Sequence, residues 1–525
     1  MGRKILFITT DQQRYDAYGC NGGTVAHTPT ADTLAAQGIR FERAYCTNVV
    51  CTPARSSIHT GQYPRTHGAI ANGVPLPDDA PSVAQALADG GYRTALIGKV
   101  HFEPIADPTG QWEQNRLSLD ESSGPYRGFD YVRFAGHGPL GASHYANWLR
   151  ENRPESLDGF LRIFATTPGG ETGAPAVSAN PVRREDYHTD WVADAVIDWL
   201  GTLDDDEDWF CWMSFPDPHH PWDLPASEHK RFDWRTLDLP PGHPGSAERI
   251  REILEKRPRH WLDWYDGSVP NVDAAPADFV PADLTEDQIR EINAIVHAKN
   301  EILDEAYRRV LDYIAGRGWD DDTDVILTTD HGEFQGELGL LFKGPYHVDA
   351  LMRLPLIWRP APSAGVAASV VGEPVSQVDL APTFCQIAGI EPPEWMQGRA
   401  LPMQPDSGRE RAIIEWDSQL DTGFRMRTIV REGWICTAYE PTDRDYGFDR
   451  ARRYADFGIP PEDVPELIVY DGTEGELYNY RDDPYQWDNR WDDPTVRELR
   501  DALVADLYEH LAPAREPRLR PQAMG

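Results

Sequence analysis

The 525-residue sequence predicts an α/β fold: a large, mostly parallel mixed sheet sandwiched by helices, then a smaller C-terminal α+β domain containing an antiparallel sheet. Three observations carry this. Apolar, strand-like runs alternate with amphipathic helical stretches through most of the chain. Polar residues recur at the carboxyl ends of those runs, where open α/β sheets place their ligands. From about Gly398 the pattern changes to short strands and one closing helix, which divides the chain into residues 1–397 and 398–525.

The elements follow in order. "KILFITT" reads as a buried strand that delivers Asp11 and Gln12 at its end. "TPTADTLAAQGIRFERAY" reads as a helix stopped near Gly38, then a strand, and "SVAQALADGGYRTALIGKVHF" repeats that logic. "WVADAVIDWLGTL" and "DWFCWMSFPDPHHPW" form another helix and strand. A long helix runs from "EDQIREINAIV" to "DYIAGRG", with an apolar stripe at Ile292, Ile295, Val296, Ile302, Leu303, Val310, Leu311 and Ile314, and leads into the strand "DVILTTDHGE". The Gly- and Pro-rich stretches at about 103–184 and 225–281 read as loops and caps around the strand ends. "AIIEWD", "MRTIVREGWICTAY" and "ELYNY" are the late strands, and "VRELRDALVADLYEHL" is the final helix.

Composition limits the function. An apolar share of 40%, with 17 Trp, 21 Tyr and 17 Phe, fits a well-packed globule. Lys plus Arg number 50 against 86 Asp plus Glu, a net charge of −36 that disfavours nucleic acid and anionic membranes as partners. Any anionic substrate therefore needs a local cationic pocket. The six cysteines are scattered without a CxxC pair, which argues against a disulfide framework or a zinc ribbon. "MGRKILFITTDQQ" lacks the apolar core and cleavage site of a signal peptide, and no stretch approaches the ~20 apolar residues of a membrane span. The expected address is cytoplasmic, and an oligomer is compatible with the sequence.

The chemistry-bearing residues stand in short segments. "NVVCTPARSSIHTG" holds Cys51, Pro53 and Arg55; alone it fits a helix start with a buried thiol as well as a reaction centre. "GYRTALIGKVHF" places Lys99 and His101 two apart at a strand end, so both side chains are expected to leave on one side. "PHHP" supplies His219 and His220, "TTDHGE" supplies Asp330 and His331, and "LLFKG" supplies Lys343. Taken singly, Asp11 fits a strand-end turn, His331 a core histidine and Lys343 a solvated surface charge.

Together and in this order the segments resemble the sulfatase family of the alkaline phosphatase superfamily, over the whole length. The resemblance implies that Cys51 is converted after translation to formylglycine by a formylglycine-generating enzyme, with Pro53 and Arg55 in the recognition signal. It implies that one hydroxyl of the aldehyde hydrate attacks sulfur or phosphorus and the other later expels the bound oxyanion, which a thiol cannot do. Asp11, Gln12, Asp330 and His331 resemble the family's ligands for one divalent metal ion, with residue 51 completing the set. Oxygen donors favour Ca²⁺, and the imidazole of His331 admits Mn²⁺. Arg55, Lys99, His219 and Lys343 are expected to hold residue 51 and the oxygens of a small anionic ester, and His101 or His219 to protonate the leaving oxygen.

The Asp-Gln and Asp-His pairs, and Asn72 in "IANGVPL", resemble the phosphonate monoester hydrolase branch, which uses that asparagine near the substrate; phosphonate monoester or phosphodiester hydrolysis is therefore the alternative, with Asn72 as a substrate-binding residue. The Lys99–His101 pair is sulfatase-like, so sulfate ester hydrolysis is the expected reaction. A non-catalytic anion- or metal-binding relative, with Cys51 left as a thiol, is the minor alternative. Trp112, Trp148 and Trp222 fit either packing or stacking on a substrate ring. Mass spectrometry of the tryptic peptide Ala44–Arg55, from protein made in a host with the converting enzyme, is expected to show residue 51 with sulfur and two hydrogens replaced by one oxygen. An unmodified thiol there contradicts the catalytic reading.

Overall fold

The computed structural model describes residues 3–105, 107, 109–139, 141–161, 167–271, 275–276, 278–417, 422–441, 455 and 459–522. The large sheet contains β1 (Lys4–Asp11), β2 (Ile39–Tyr45), β3 (Arg93–Gly98), β4 (Tyr131–Phe134), β5 (Trp209–Pro218), β6 (Thr323–Thr329), β7 (Arg353–Arg359) and β8 (Ser369–Val371). Their order is β8-β2-β7-β6-β1-β5-β3-β4, and the short β9 (Val375–Ser376) also pairs with β2. Only β7 runs against its neighbours β6 and β2; every other pairing is parallel. The eight residues of β1 and the ten of β5 are all buried, as continuous apolar strands of a covered parallel sheet must be.

Helices α1 (Pro29–Gln37), α2 (Cys51–Thr60), α3 (Val83–Asp89), α4 (His188–Leu200), α5 (Glu286–Gly316) and α6 (Leu380–Ala388) flank this sheet. Phe7 of β1 packs on Phe384 of α6 and on Trp212 of β5, with ring centroids 4.9 and 5.2 Å apart. The 31-residue α5 opens on a capping box made by Thr285 and Gln288, and its expected stripe is buried except for the half-buried Leu311.

The stretches expected as loops carry more structure than that. Two helices, His144–Asn152 and Ala247–Leu254, start where the Ser143 and Ser246 hydroxyls accept from Ala146 and Arg249 N–H groups. Val177–Asn180 also pairs in parallel with Trp222–Pro225. Trp222 is buried and stacks on Phe342, so its role is packing rather than an open stacking platform.

The second sheet orders β10 (Arg411–Trp416), β11 (Thr422–Arg431), β12 (Trp434–Pro441) and β14 (Gly475–Asn479) as antiparallel neighbours, with β13 (Ile468–Val469) parallel to β11. Helix α7 (Arg497–Glu509) buries Leu503 and Leu507 against Ile429, Cys436 and Leu477. The chain then returns to the large domain: Arg515 N–H donates to the Arg65 carbonyl, Gln522 N–H to the Gly73 carbonyl, and Leu519 packs on Ile70, Ala71 and Val74.

Candidate active site

Parallel register brings the first two site residues together. Thr10 of β1 lies opposite Thr329 of β6, so Asp11 and Asp330 emerge side by side at one edge of the sheet, both fully buried. Two buried carboxylates this close need compensating charge. Arg55, one turn into α2, supplies it. Its Nε donates to Asp330 Oδ2 at 2.8 Å, Nη2 to Asp11 Oδ2 at 3.3 Å and the Thr10 carbonyl at 3.4 Å, and Nη1 to Ser214 Oγ at 2.8 Å and the Lys99 carbonyl at 3.0 Å.

These contacts use all five guanidinium donors. Arg55 therefore braces the carboxylates and the strand end, and differs from the expectation that it also meets the anion. The Lys99 ammonium pairs with Asp11 as well. Burial pushes the Asp11 carboxyl upward, but Lys99, Arg55 and Lys343 outweigh it and hold the group well below the usual carboxylate range. Asp330 is also lowered: burial and Asp11 oppose ionisation, and His331, Arg55 and Lys99 prevail.

Cys51 is the first residue of α2, and all ten residues of that helix are buried. Pro53 sits in the first turn, where a missing N–H costs no helical bond. The preceding Val50 N–H donates to Asn48 Oδ1 at 3.0 Å, and Thr52 N–H donates to Asn72 Oδ1 at 3.0 Å. Asn72, expected near the substrate, thus caps helix α2 beside residue 51. Gly61 ends the helix in a left-handed conformation, its N–H returning to the Ser57 carbonyl at 2.9 Å. The helix start brings positive potential to the thiol.

Around Cys51 Sγ lie His331 Nε2 at 3.2 Å, Lys343 Nζ at 3.7 Å, Asp11 Oδ1 at 3.8 Å and Lys99 Nζ at 3.9 Å. Burial and Asp11 oppose ionisation of this thiol, yet Lys343, Lys99 and His331 bring its pKa well below the ordinary value. Negative charge is thus stabilised at position 51. Lys343 is buried, not a surface charge; its ammonium also meets Gln12 Oε1 and lies 3.0 Å from His219 Nε2.

Strand alternation does not deliver Lys99 and His101. β3 ends at Gly98, whose φ of +112° and close approach to Ser214 leave no room for a side chain: a Cβ would stand 1.6 Å from the Ser214 carbonyl oxygen. His101 then adopts a left-handed φ of +57°. It is buried, and burial lowers its pKa against the opposing influence of Cys51.

The donors fit a divalent cation. Ligand atoms of Asp11, Cys51, Asp330 and His331 lie within 4.8 Å of one another, and Gln12 Oε1 accepts from the Lys343 ammonium, which itself lies 3.7 Å from Cys51 Sγ. His331 Nδ1 donates to the Gly332 carbonyl at 3.0 Å, which turns Nε2 toward Cys51; against burial, Asp330 and Cys51 raise the ring's pKa, and Nε2 becomes a ligand once it gives up its proton. Carboxylate, amide and imidazole donors of this kind suit Ca²⁺ or Mn²⁺.

Two residues join the site without having been singled out. Glu333 accepts from Gln12 Nε2, which fixes the amide so that its oxygen points to the donor cluster; burial raises its pKa to about 7. Its signal lay in "DHGE", two residues after His331. Gln377 Nε2 donates to the Asp330 carbonyl at 2.6 Å, a contact across 47 positions that no local pattern announces. His220, from the same "PHHP" segment, stacks on His219 at 4.0 Å between centroids. His67 is structural, bonded to Ser57 Oγ at 3.1 Å.

Replacing Arg55 with Met leaves the two carboxylates without their brace. Urea unfolding is expected to show a loss of about 3–5 kcal/mol, with a smaller loss for Arg55→Lys, which keeps the charge but not the fork. A wild-type midpoint for Arg55→Met contradicts the brace.

Similarity to known proteins agrees with this geometry. A family model described as Sulfatase matches residues 3–390. The uncharacterized sulfatase YidJ of Escherichia coli is 26% identical over 521 residues, covering 98% of this chain and 88% of that protein. The choline-sulfatase of Rhizobium meliloti is 25% identical over 454 residues, covering 85% and 80%. In fold, the chain is similar to the phosphonate monoester hydrolase of Agrobacterium radiobacter, with a TM-score of 0.74 and 23% identity over 97% of this chain and 95% of that one. The chain belongs to the sulfatase family, a family of sulfuric ester hydrolases.

Proposed function

We propose that this protein hydrolyses sulfate monoesters of small molecules to an alcohol and sulfate, using a formylglycine derived from Cys51 and one divalent cation. The observation that carries the reading is the setting of residue 51. It opens a helix among two ammonium groups, an imidazole and a carboxylate, where negative charge is favoured. Among the relatives, a choline-sulfatase and an N-acetylglucosamine-6-O-sulfatase support the sulfate ester.

When present, the aldehyde hydrate supplies a hydroxyl nucleophile and a second hydroxyl that regenerates the aldehyde, and the cation supplies the charge that lowers the nucleophile's pKa. Asp11, Gln12, Asp330 and His331 would hold that cation, Ca²⁺ first and Mn²⁺ as the alternative. Lys99 and Lys343 bind the sulfuryl oxygens, whose charge they balance close to the reacting centre. His219 orients Lys343. Its Nδ1 lies 2.5 Å from the His220 carbonyl, which only accepts, so the neutral ring offers Nε2 as an acceptor to the Lys343 ammonium. That leaves His101 as the proton donor to the leaving oxygen.

A phosphonate monoester is the second reading, favoured by the Asp11–Gln12 and Asp330–His331 pairs. It presents the same single charge on a tetrahedral centre. Turnover of nitrophenyl sulfate is expected to exceed that of a nitrophenyl phenylphosphonate in kcat/KM; the reverse order establishes the second reading instead. In Lys99→Ala, sulfate-ester kcat is expected to fall by about 10²-fold or more; unchanged kinetics would remove Lys99 from the site.

A further inference from the structure

The outermost strand of the parallel set, β4, ends at Phe134, and the chain leaves it through Ala135, Gly136, His137 and Gly138. Because β4 runs parallel to β3, this exit lies at the sheet edge that also delivers Asp11, Lys99 and Asp330. His137 is 5% exposed, and neither of its ring nitrogens has a hydrogen-bond partner. Its ring packs against His219, 5.1 Å between centroids, and edge-on to His188 at 5.5 Å. Gly138, at φ +64°, makes the turn; a Cβ there would meet the Phe160 ring at 2.3 Å.

Nearby groups do not account for those free nitrogens. His137, His188 and Asp217 bring ligand atoms within 4.8 Å of one another, which has the outline of a metal cluster. Asp217, however, is already satisfied. Lys299 Nζ lies 2.9 Å from its Oδ1, Tyr187 donates to the same oxygen at 3.0 Å, and Thr189 donates to Oδ2 at 2.6 Å. The buried Lys299 ammonium already supplies the charge that balances Asp217. Burial, and then Lys99, push the His137 pKa well down, so the ring is neutral with one donor and one acceptor. A buried imidazole left unbonded is costly, and the cost is relieved when a ligand meets it.

We propose that His137 is a substrate-binding residue that donates an N–H to an oxygen of the bound ester on the His219 side of the site. The assignment rests on the sulfate-ester reading above for its ligand, and nothing in that reading uses His137.

The test uses converted, metal-loaded protein. In His137→Ala, kcat/KM for nitrophenyl sulfate is expected to fall roughly 10- to 100-fold, with an unchanged melting temperature. His137→Gln, which restores a donor, is expected to recover part of the loss. Calorimetric binding of inorganic sulfate separates this proposal from its parent. A wild type that binds sulfate but turns over no sulfate ester overturns the parent reading, and weaker sulfate binding by His137→Ala still supports His137. Equal sulfate binding and equal kcat/KM in wild type and His137→Ala overturn the proposal. So does a second Zn²⁺ equivalent bound by wild type and lost in His137→Ala, which would establish the metal cluster instead.

Discussion

Two carboxylates that emerge together from adjacent parallel strands, Asp11 and Asp330, set the terms for everything around them. Both are fully buried, and Arg55 spans them with Nε and Nη2. The repulsion of such a pair in a low-dielectric interior is large enough to require charge from several directions. It is answered by Arg55 and Lys99 and, with a cation bound, by the cation's own charge. Arg55 also fastens the first turn of α2 to the ends of β1, β5 and β6, so the position of residue 51 follows from the electrostatics of the pair. Removing that brace would disturb residue 51 and the candidate metal donors together.

The same arrangement reconciles an acidic protein with an anionic substrate. A net charge of −36 is spread over the whole chain, whereas Lys99 and Lys343 stand within 4 Å of Cys51 Sγ. Surface charges beyond a screening length of roughly 8–10 Å count for little against them at ordinary salt. Burial lowers the pKa of each of His137, His219 and His220 well below the ordinary value, so these rings act as neutral donors and acceptors. The permanent positive charge in the hollow is left to the lysines, and the imidazoles supply direction.

Much of this was legible in the chain. The alternation of apolar runs and helices gave the parallel sheet, and the polar residues at strand ends gave Asp11, Lys99, His219 and Asp330, because a parallel sheet collects them at one edge. What escaped depends on backbone turns and distant pairing. Lys99 and His101 reach the site through Gly98 and a left-handed His101 instead of strand alternation. Lys343 reads as a surface charge in "LLFKG" and becomes a buried one only when the chain folds back over Gln12 and His219. Arg55 looks like an anion ligand until all five of its donors are traced to protein groups. His137 hides in a Gly-flanked turn whose strand, four residues long, has a weak pattern of its own.

In the proposed reaction, residue 51, as the formylglycine hydrate, takes up the sulfuryl group through one hydroxyl and then, through the second, lets it go. Cys51→Ser keeps one hydroxyl and lacks the second. Mixed with nitrophenyl sulfate, this variant is expected to release one equivalent of nitrophenol per protein and stop, with intact-mass and peptide analysis finding one sulfuryl group on residue 51. Continuous turnover by Cys51→Ser, or a burst that leaves residue 51 unmodified, would contradict it.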